Sequence, residues 1–270
     1  MSDSIVALPT LISPPFEPAC ERRLAGSVVA RANLTLAERD EMYALLLAYF
    51  VGTSRAQFEA DLAEKEAAIL LRDVETSQIQ GFSTLMRIAT RVDAREIVAF
   101  FSGDTIVAQQ YWGESELSRL WSRTVFAEAD RILANTPGAR VYWFLICSGY
   151  KTWRFLPVFF REFYPNADTP TPPHLKNILD ALGARKFGDQ YNPLTGVVRL
   201  RSATPLRSGV ADVTEHRLRD PRIAFFTKMN PGHLLGDELA CLTQISRSNL
   251  TRAGERMVGA RIVSAREGQS

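Results

Sequence analysis

Between Ala67 and Cys147 the hydrophobic period changes twice, and this limits the fold more than any other feature of the chain. Three short β-prone runs come first: AAILLR from residue 67, IQGFSTLMRI from 79 and EIVAFF from 96. The polar turns DVETSQ and TRVDAR separate them, as expected of consecutive antiparallel strands. The period then lengthens. Leu117, Leu120, Trp121, Val125, Ala129 and Ile132 share one side of a helix expected over 114–133. NTPG stops that helix, and RVYWFLIC (140–147) follows, apolar throughout after Arg140, the pattern of a strand covered on both faces. A meander that leads into strand, helix and buried strand is a mixed α/β arrangement.

The flanking segments fill in the organisation. Residues 1–34 carry Pro9, Pro14, Pro15 and Pro18 and read as an irregular N-terminal arm. Thr35 followed by Glu38 is a capping-box pattern. The helix it opens is expected to reach about Phe50, with Met42, Leu45, Leu46, Tyr49 and Phe50 on its apolar face. VGT breaks the chain, and a second helix is expected from about Ser54, with Phe58 and Leu62 one turn apart. Past Cys147, YKTWRFLPVFFREFY is helix-like, and Pro157 should kink it or mark a late start. PNADTPTPP (165–173) reads as a linker. Beyond it the pattern predicts a helix from His174 to Leu182 stopped by Gly183, strands near TGVVRLR, RIAFFTK and ELACLTQI, and a helix over 246–258. The chain thus divides into 1–34, 35–164 and 165–270.

Charge and cysteine usage narrow the function classes. With Lys+Arg at 32 and Asp+Glu at 30, the formal charge is +2, which gives no electrostatic case for nucleic acid or a membrane surface as partner. Cys20, Cys147 and Cys241 are far apart, so a reduced, cytoplasmic protein is expected. His174, His216 and His233 are scattered, so no metal site is expected. The first residues show no basic region followed by a long apolar stretch, so a secretory leader is not expected, and without an apolar run of roughly 18 residues neither is a membrane span.

The feature most suggestive of chemistry is QQYWGESEL (109–117), set between a strand-like run and the amphipathic helix. Backbone N–H groups at such a junction bind an anion without a cationic side chain, and a glycine lets a diphosphate approach closely. Gln110-Tyr111-Trp112-Gly113-Glu114-Ser115 fits the Q-x-x-G-x-[small] loop, and the order of elements over 35–164 resembles the GNAT superfamily of N-acyltransferases. The resemblance implies a GNAT-like, mostly antiparallel α/β sheet with splayed central strands, flanking helices and an elaborated C-terminal part. It implies acyl-CoA as co-substrate, with no permanently bound cofactor. Gln110, Tyr111, Trp112, Gly113, Glu114 and Ser115 would hold the diphosphate. A bulge at Gly103-Asp104 would free backbone groups of Thr105, Ile106 and Val107 to pair with the pantetheine arm. Glu114 must turn outward for this to work.

Acyl transfer to an amine needs a base for the amine proton, and an acid may protonate the leaving thiolate. Asp104 and Glu96, on or beside the fourth strand, are the candidate bases; each is also an ordinary turn carboxylate. The family's thiolate acid is often a tyrosine that would fall near Phe159-Phe160, where this chain has no hydroxyl. Tyr150, just past the strand, is the first substitute and Tyr164 the second. Cys147 reads as a buried small hydrophobe. The expected reaction is direct transfer from acyl-CoA to an amine of a small molecule, with an acyl carrier protein as the alternative donor. A non-catalytic acyl-CoA sensor or scaffold is the competing reading.

Overall fold

The structure is a computed structural model that describes residues 23–259. The prolines and Cys20 of the N-terminal stretch lie outside the described residues. One mixed sheet of eight strands organises the molecule, in the order β1-β2-β3-β4-β5-β8-β7-β6. The strands are β1 (Leu24–Ala30), β2 (Ala67–Asp73), β3 (Ile79–Val92), β4 (Arg95–Val107), β5 (Arg140–Cys147), β6 (Tyr191–Asn192), β7 (Val197–Val198) and β8 (Glu238–Gln244). Every pairing is antiparallel except β4 with β5. That parallel pair is joined by the long helix α3 (Glu116–Asn135), as the change of period between Ala67 and Cys147 requires.

Helices cover both faces. On one side, α1 (Leu36–Tyr49) and α2 (Arg55–Ala63) set Met42, Leu46, Phe58 and Leu62 against Leu70, Phe82 and Ile106. Beside them α6 (Pro173–Phe187) packs Ile178, Leu179 and Leu182 on Phe101, Phe144 and Leu242. The opposite face holds α3, the short helices α4 (Tyr150–Trp153) and α5 (Phe155–Phe159), and α7 (Pro221–Met229) and α8 (Arg252–Val258), over a core of Phe100, Trp143, Leu145 and Cys147. β5 therefore sends alternate side chains into two cores, which is why its sequence has no polar side.

Local chemistry fixes most boundaries. The capping box forms: Thr35 Oγ1 accepts from the Glu38 N–H at 3.2 Å, and Glu38 accepts from the Thr35 N–H at 2.8 Å. Pro157 sits in the first turn of α5, where its missing N–H costs nothing, and the break falls at Arg154.

Four expectations are corrected. β1 lies inside the segment read as an irregular arm and pairs along its whole length with β2. Its alanines, glycine and serine bury only Leu24 fully, so the alternation was weak. RIAFFTK is helical, not extended: Asp220 caps α7 by accepting from the Arg222 N–H at 2.9 Å, and Pro221 opens it. α6 runs on through Gly183 to Phe187, with the Tyr191 ring packed where a Cβ would sit. The last helix begins at Arg252, not 246; a 3-10 turn over 247–249 precedes it.

Candidate functional site

The sheet opens at its centre. β4 and β5 pair in register from Ile97↔Arg140 to Ser102↔Leu145 and then part. Past that point β4 pairs only with β3, and Ile146 and Cys147 pair with β8. A bulge produces the divergence. Leu85 pairs with Ser102 and Ser83 with Thr105, so Thr84 alone faces both Gly103 and Asp104. A Cβ on Gly103 would come within 2.5 Å of Thr84 Oγ1 and 2.7 Å of Lys65 Cε, so only glycine fits. The crotch itself is pinned. Ser102 Oγ accepts from the indole N–H groups of Trp121, at 2.8 Å, and Trp143, at 3.1 Å.

The bulge also sets which backbone groups face the gap. Ala108 N–H donates to the Gln80 carbonyl at 2.7 Å, so the pairs 80/108 and 82/106 are the hydrogen-bonded ones. Thr105 and Val107 then turn their peptide groups away from β3, toward the parted β5. The Val107 carbonyl is occupied by the Trp112 indole N–H at 2.8 Å. Thr105 and the Val107 N–H remain for a ligand.

A cavity of about 840 Å³ fills the opening and reaches both faces of the sheet. At its α3 mouth stands the loop of residues 109–115. Tyr111 to Glu114 line the cavity, whereas Gln110 and Ser115 do not, and the Gln110 amide bonds to Gln80 at 3.2 Å. Gly113 adopts φ +106° with open space where a Cβ would be, which presents bare backbone at the start of a 20-residue helix. Glu114 is drawn aside by Arg23, whose Nε lies 3.0 Å from its carboxylate and whose Nη2 donates to the Gln110 carbonyl at 3.0 Å. Lys151, just past β5, rests its ammonium 3.7 Å above the Trp112 ring on the cavity wall. Burial, then Arg217, lowers its pKa.

The α2/α6 mouth is charged. Lys65, with its side chain fully enclosed, pairs with Asp61 at 2.6 Å, and Lys186 pairs with Glu64. Asp104 faces both lysines without a carboxylate-to-ammonium bond to either. Burial, reinforced by Asp61, lifts its pKa to about 7 against the pull of the lysines. Glu238, at the start of β8, faces the same space. Burial pushes it to about 8, with Asp104 and Asp61 adding to the rise and Ser148 opposing it. Both carboxyls touch the cavity yet are walled by protein, so each holds its proton into the neutral range.

The expected site residues therefore divide. Asp104, Thr105, Ile106, Val107, Tyr111, Trp112, Gly113 and Glu114 converge on the cavity. Glu96 does not: it is exposed at the opposite end of β4, roughly 25 Å from Asp104 at the rise of an extended strand. Tyr150 does not either. It is 1% exposed in the core, at the start of α4, where its hydroxyl accepts from Arg217. Tyr164 bridges β8 through its backbone at Leu242. Sequence reasoning missed Glu238, Ser148, Lys151 and the Asp61–Lys65 pair. Glu238 leads an apolar strand, and nothing local to it distinguishes a strand-end charge from a functional one.

Among the described residues no cluster of His, Cys, Asp and Glu is arranged to hold a metal ion, and no helix is long and apolar enough to cross a membrane.

No protein-family model matches the chain, and no curated protein matches it. Several of the solved structures to which the chain is partly similar are described as N-acyltransferases or N-acetyltransferases. A probable N-acyltransferase from Enterococcus faecalis V583 shares 14% identity over 52% of this chain and 33% of its own, with a TM-score of 0.37. The GNAT family N-acetyltransferase YhbS from Escherichia coli, in complex with CoA, shares 17% over 53% of this chain and 71% of its own, at 0.35. Glucosamine-6-phosphate N-acetyltransferase from Arabidopsis thaliana shares 13% over 48% and 88%, at 0.32. Each likeness is partial: this chain spans about a third of the first of these proteins.

Proposed function

We propose that the chain is an N-acyltransferase that binds an acyl-CoA in the opening between β4 and β5 and passes its acyl group directly to an amine. The observation that carries this reading is the parting of the two strands after Ser102, with an open helix N-terminus at one mouth and two proton-holding carboxyls at the other. In this reading residues 35–164 form the acyl-CoA-binding core and 165–270 complete the acceptor side, since Glu238 comes from β8.

The roles follow from the chemistry of each group. The backbone at Gly113 and the first turn of α3 meet the diphosphate, with Arg23 cancelling Glu114 and Lys151 adding a cation. Thr105 and the Val107 N–H pair with the pantetheine amides. The thioester carbon then lies near the crotch at Ser102. An amine entering from the α2/α6 side meets Asp104 and Glu238, one of which accepts its proton as nitrogen attacks the carbonyl. The tetrahedral intermediate collapses, the C–S bond breaks and the CoA thiolate leaves through the α3 mouth. No enzyme nucleophile is needed, and the buried, thiol-form Cys147 offers none.

The test is free-thiol release from acyl-CoA with a panel of primary amines between about pH 6 and about pH 9, where a carboxylate base gains activity as it ionises. Amine-dependent release that rises with pH and is lost in Glu238→Gln or Asp104→Asn supports the reading. Thiol release that is indifferent to amine overturns it. The second reading, an acyl-CoA sensor, draws on the burial of Tyr150, which leaves that hydroxyl unable to protonate a thiolate. Tight acyl-CoA binding without transfer to any amine would select it.

A further inference from the structure

The two walls of the cavity differ in kind. Toward α2 and α6 stand Asp61, Asp104, Lys186 and Glu238. Toward α3, α5 and α8 stand Trp121, Trp143, Leu145, Phe159 and Met257, and none of these carries a charge. These side chains form an uncharged, aromatic recess beyond the crotch.

The recess also contains an unmet hydrogen bond. Ser122, on α3, is 0% exposed and lines the cavity, and its hydroxyl has no partner among the described residues. A helical serine or threonine ordinarily donates to the carbonyl one turn back. Two residues along, Thr124 does so, to Leu120 at 2.8 Å. On the same side, Ser118 donates to the Ser115 carbonyl at 3.0 Å and Ser102 serves the two indoles, whereas the one other buried, unpartnered hydroxyl among the described lining residues, that of Thr53, is on the loop between α1 and α2. A buried hydroxyl left over beside an apolar recess is the arrangement expected where a ligand supplies the missing oxygen.

We infer that this recess receives the acyl chain of the donor, that the chain is longer than acetyl, and that Ser122 hydrogen-bonds to an oxygen substituent on it. The inference rests on the acyl-CoA reading above and assigns its donor class. On the α2/α6 side Phe58, Phe101 and Phe187 also line the cavity, but they stand among charged groups, so a chain lying there would strip water from carboxylates and ammoniums without replacing it. The apolar wall gains with each methylene buried, about fourfold in affinity.

The test is direct binding by titration calorimetry of the full chain with CoA, acetyl-CoA, octanoyl-CoA and 3-hydroxyoctanoyl-CoA. Octanoyl-CoA is expected to bind about thirtyfold or more tighter than acetyl-CoA, what burial of about two to three of its added methylenes supplies at that increment. The hydroxylated chain is expected to bind about two- to tenfold tighter again, one neutral hydrogen bond. Ser122→Ala should collapse the ratio between the hydroxylated and plain chains to about one, within the scatter of such comparisons. Equal affinity for acetyl- and octanoyl-CoA overturns the inference and leaves the acyl-CoA reading standing. A ratio unchanged in Ser122→Ala overturns the part given to Ser122. No binding of any CoA thioester overturns both. The chain-length comparison uses the unaltered protein, so a variant that fails to fold does not shelter the idea.

Discussion

Replacing Glu238 with glutamine should make the protein more stable in alkaline solution while abolishing amine acylation. The carboxyl moves from an ordinary 4.5 to about 8 because burial, then Asp104 and Asp61, disfavour its charge. At 1.36 kcal/mol per pH unit, ionising it in place costs on the order of 4–5 kcal/mol. The carboxyl touches the cavity and the charges can redistribute a proton, so about 1–3 kcal/mol should survive as measurable stability. The sign follows from proton linkage. The folded state holds this proton at pH values where the unfolded chain has released it, so stability is complete below the unfolded value near 4.5 and is lost as pH rises through about 8. Glutamine keeps the shape and carries no titrating proton. Urea unfolding followed by circular dichroism at about pH 5, about pH 7 and about pH 9 reads the difference through the midpoint. The wild type should lose about 1–3 kcal/mol more than Glu238→Gln across that range, with the variant ahead at the alkaline end. Parallel curves, or a variant weaker at high pH, would refute the claim that Glu238 is held protonated by its surroundings.

Other perturbations reach the remaining parts of the site. Arg23→Ala leaves Glu114 uncompensated at the loop and should weaken CoA binding about five- to tenfold at low salt, with the gap narrowing as salt screens the carboxylate; calorimetry at two ionic strengths checks it. Ser102→Ala strips the acceptor from two buried indoles and should cost about 2–4 kcal/mol, with altered tryptophan emission; urea unfolding and fluorescence report both. Thr35→Ala removes the side-chain half of the capping box and should cost about 1 kcal/mol in chemical denaturation without changing CoA affinity.

Some of this molecule is written in its local sequence and some is not. β5 was legible because the seven consecutive residues after Arg140 carry no polar side, and α1 because Thr35 and Glu38 stand at the spacing of reciprocal caps. The bulge was legible because a glycine interrupts a strand pattern. β1 was not, since an edge strand that buries one residue fully needs little hydrophobic alternation. RIAFFTK misled because four consecutive apolar residues suit a buried strand as well as a short helix, and the arbiter was the Asp-Pro pair just before it. Tyr150 seemed well placed because it follows the strand mouth, but position along the chain says nothing of whether the ring faces the cavity or the core, where it is buried. Glu96 shared a strand with Asp104, and a strand carries its ends far apart.

Glu238 shows the deeper limit, and it also says what the C-terminal third contributes. Asp104 and Glu238 stand 134 positions apart in the chain, on strands that are not neighbours: β5 lies between β4 and β8 in the sheet. They confront each other only because β4 veers from β5 past the bulge while β5 stays paired to β8 through Cys147. Burial is the first cause of the raised pKa at both, and at Asp104 it outweighs the pull of Lys65 and Lys186. Those lysines are already paired with Asp61 and Glu64. Asp61 adds to the rise at both carboxyls and Asp104 adds to that at Glu238, a coupling that exists only in the assembled sheet. In the proposed transfer, this puts both in the range where a base can take and release an amine's proton at neutral pH. β8 supplies half of that pair, so in the proposed reaction the segment beyond residue 165 serves the chemistry as much as the fold.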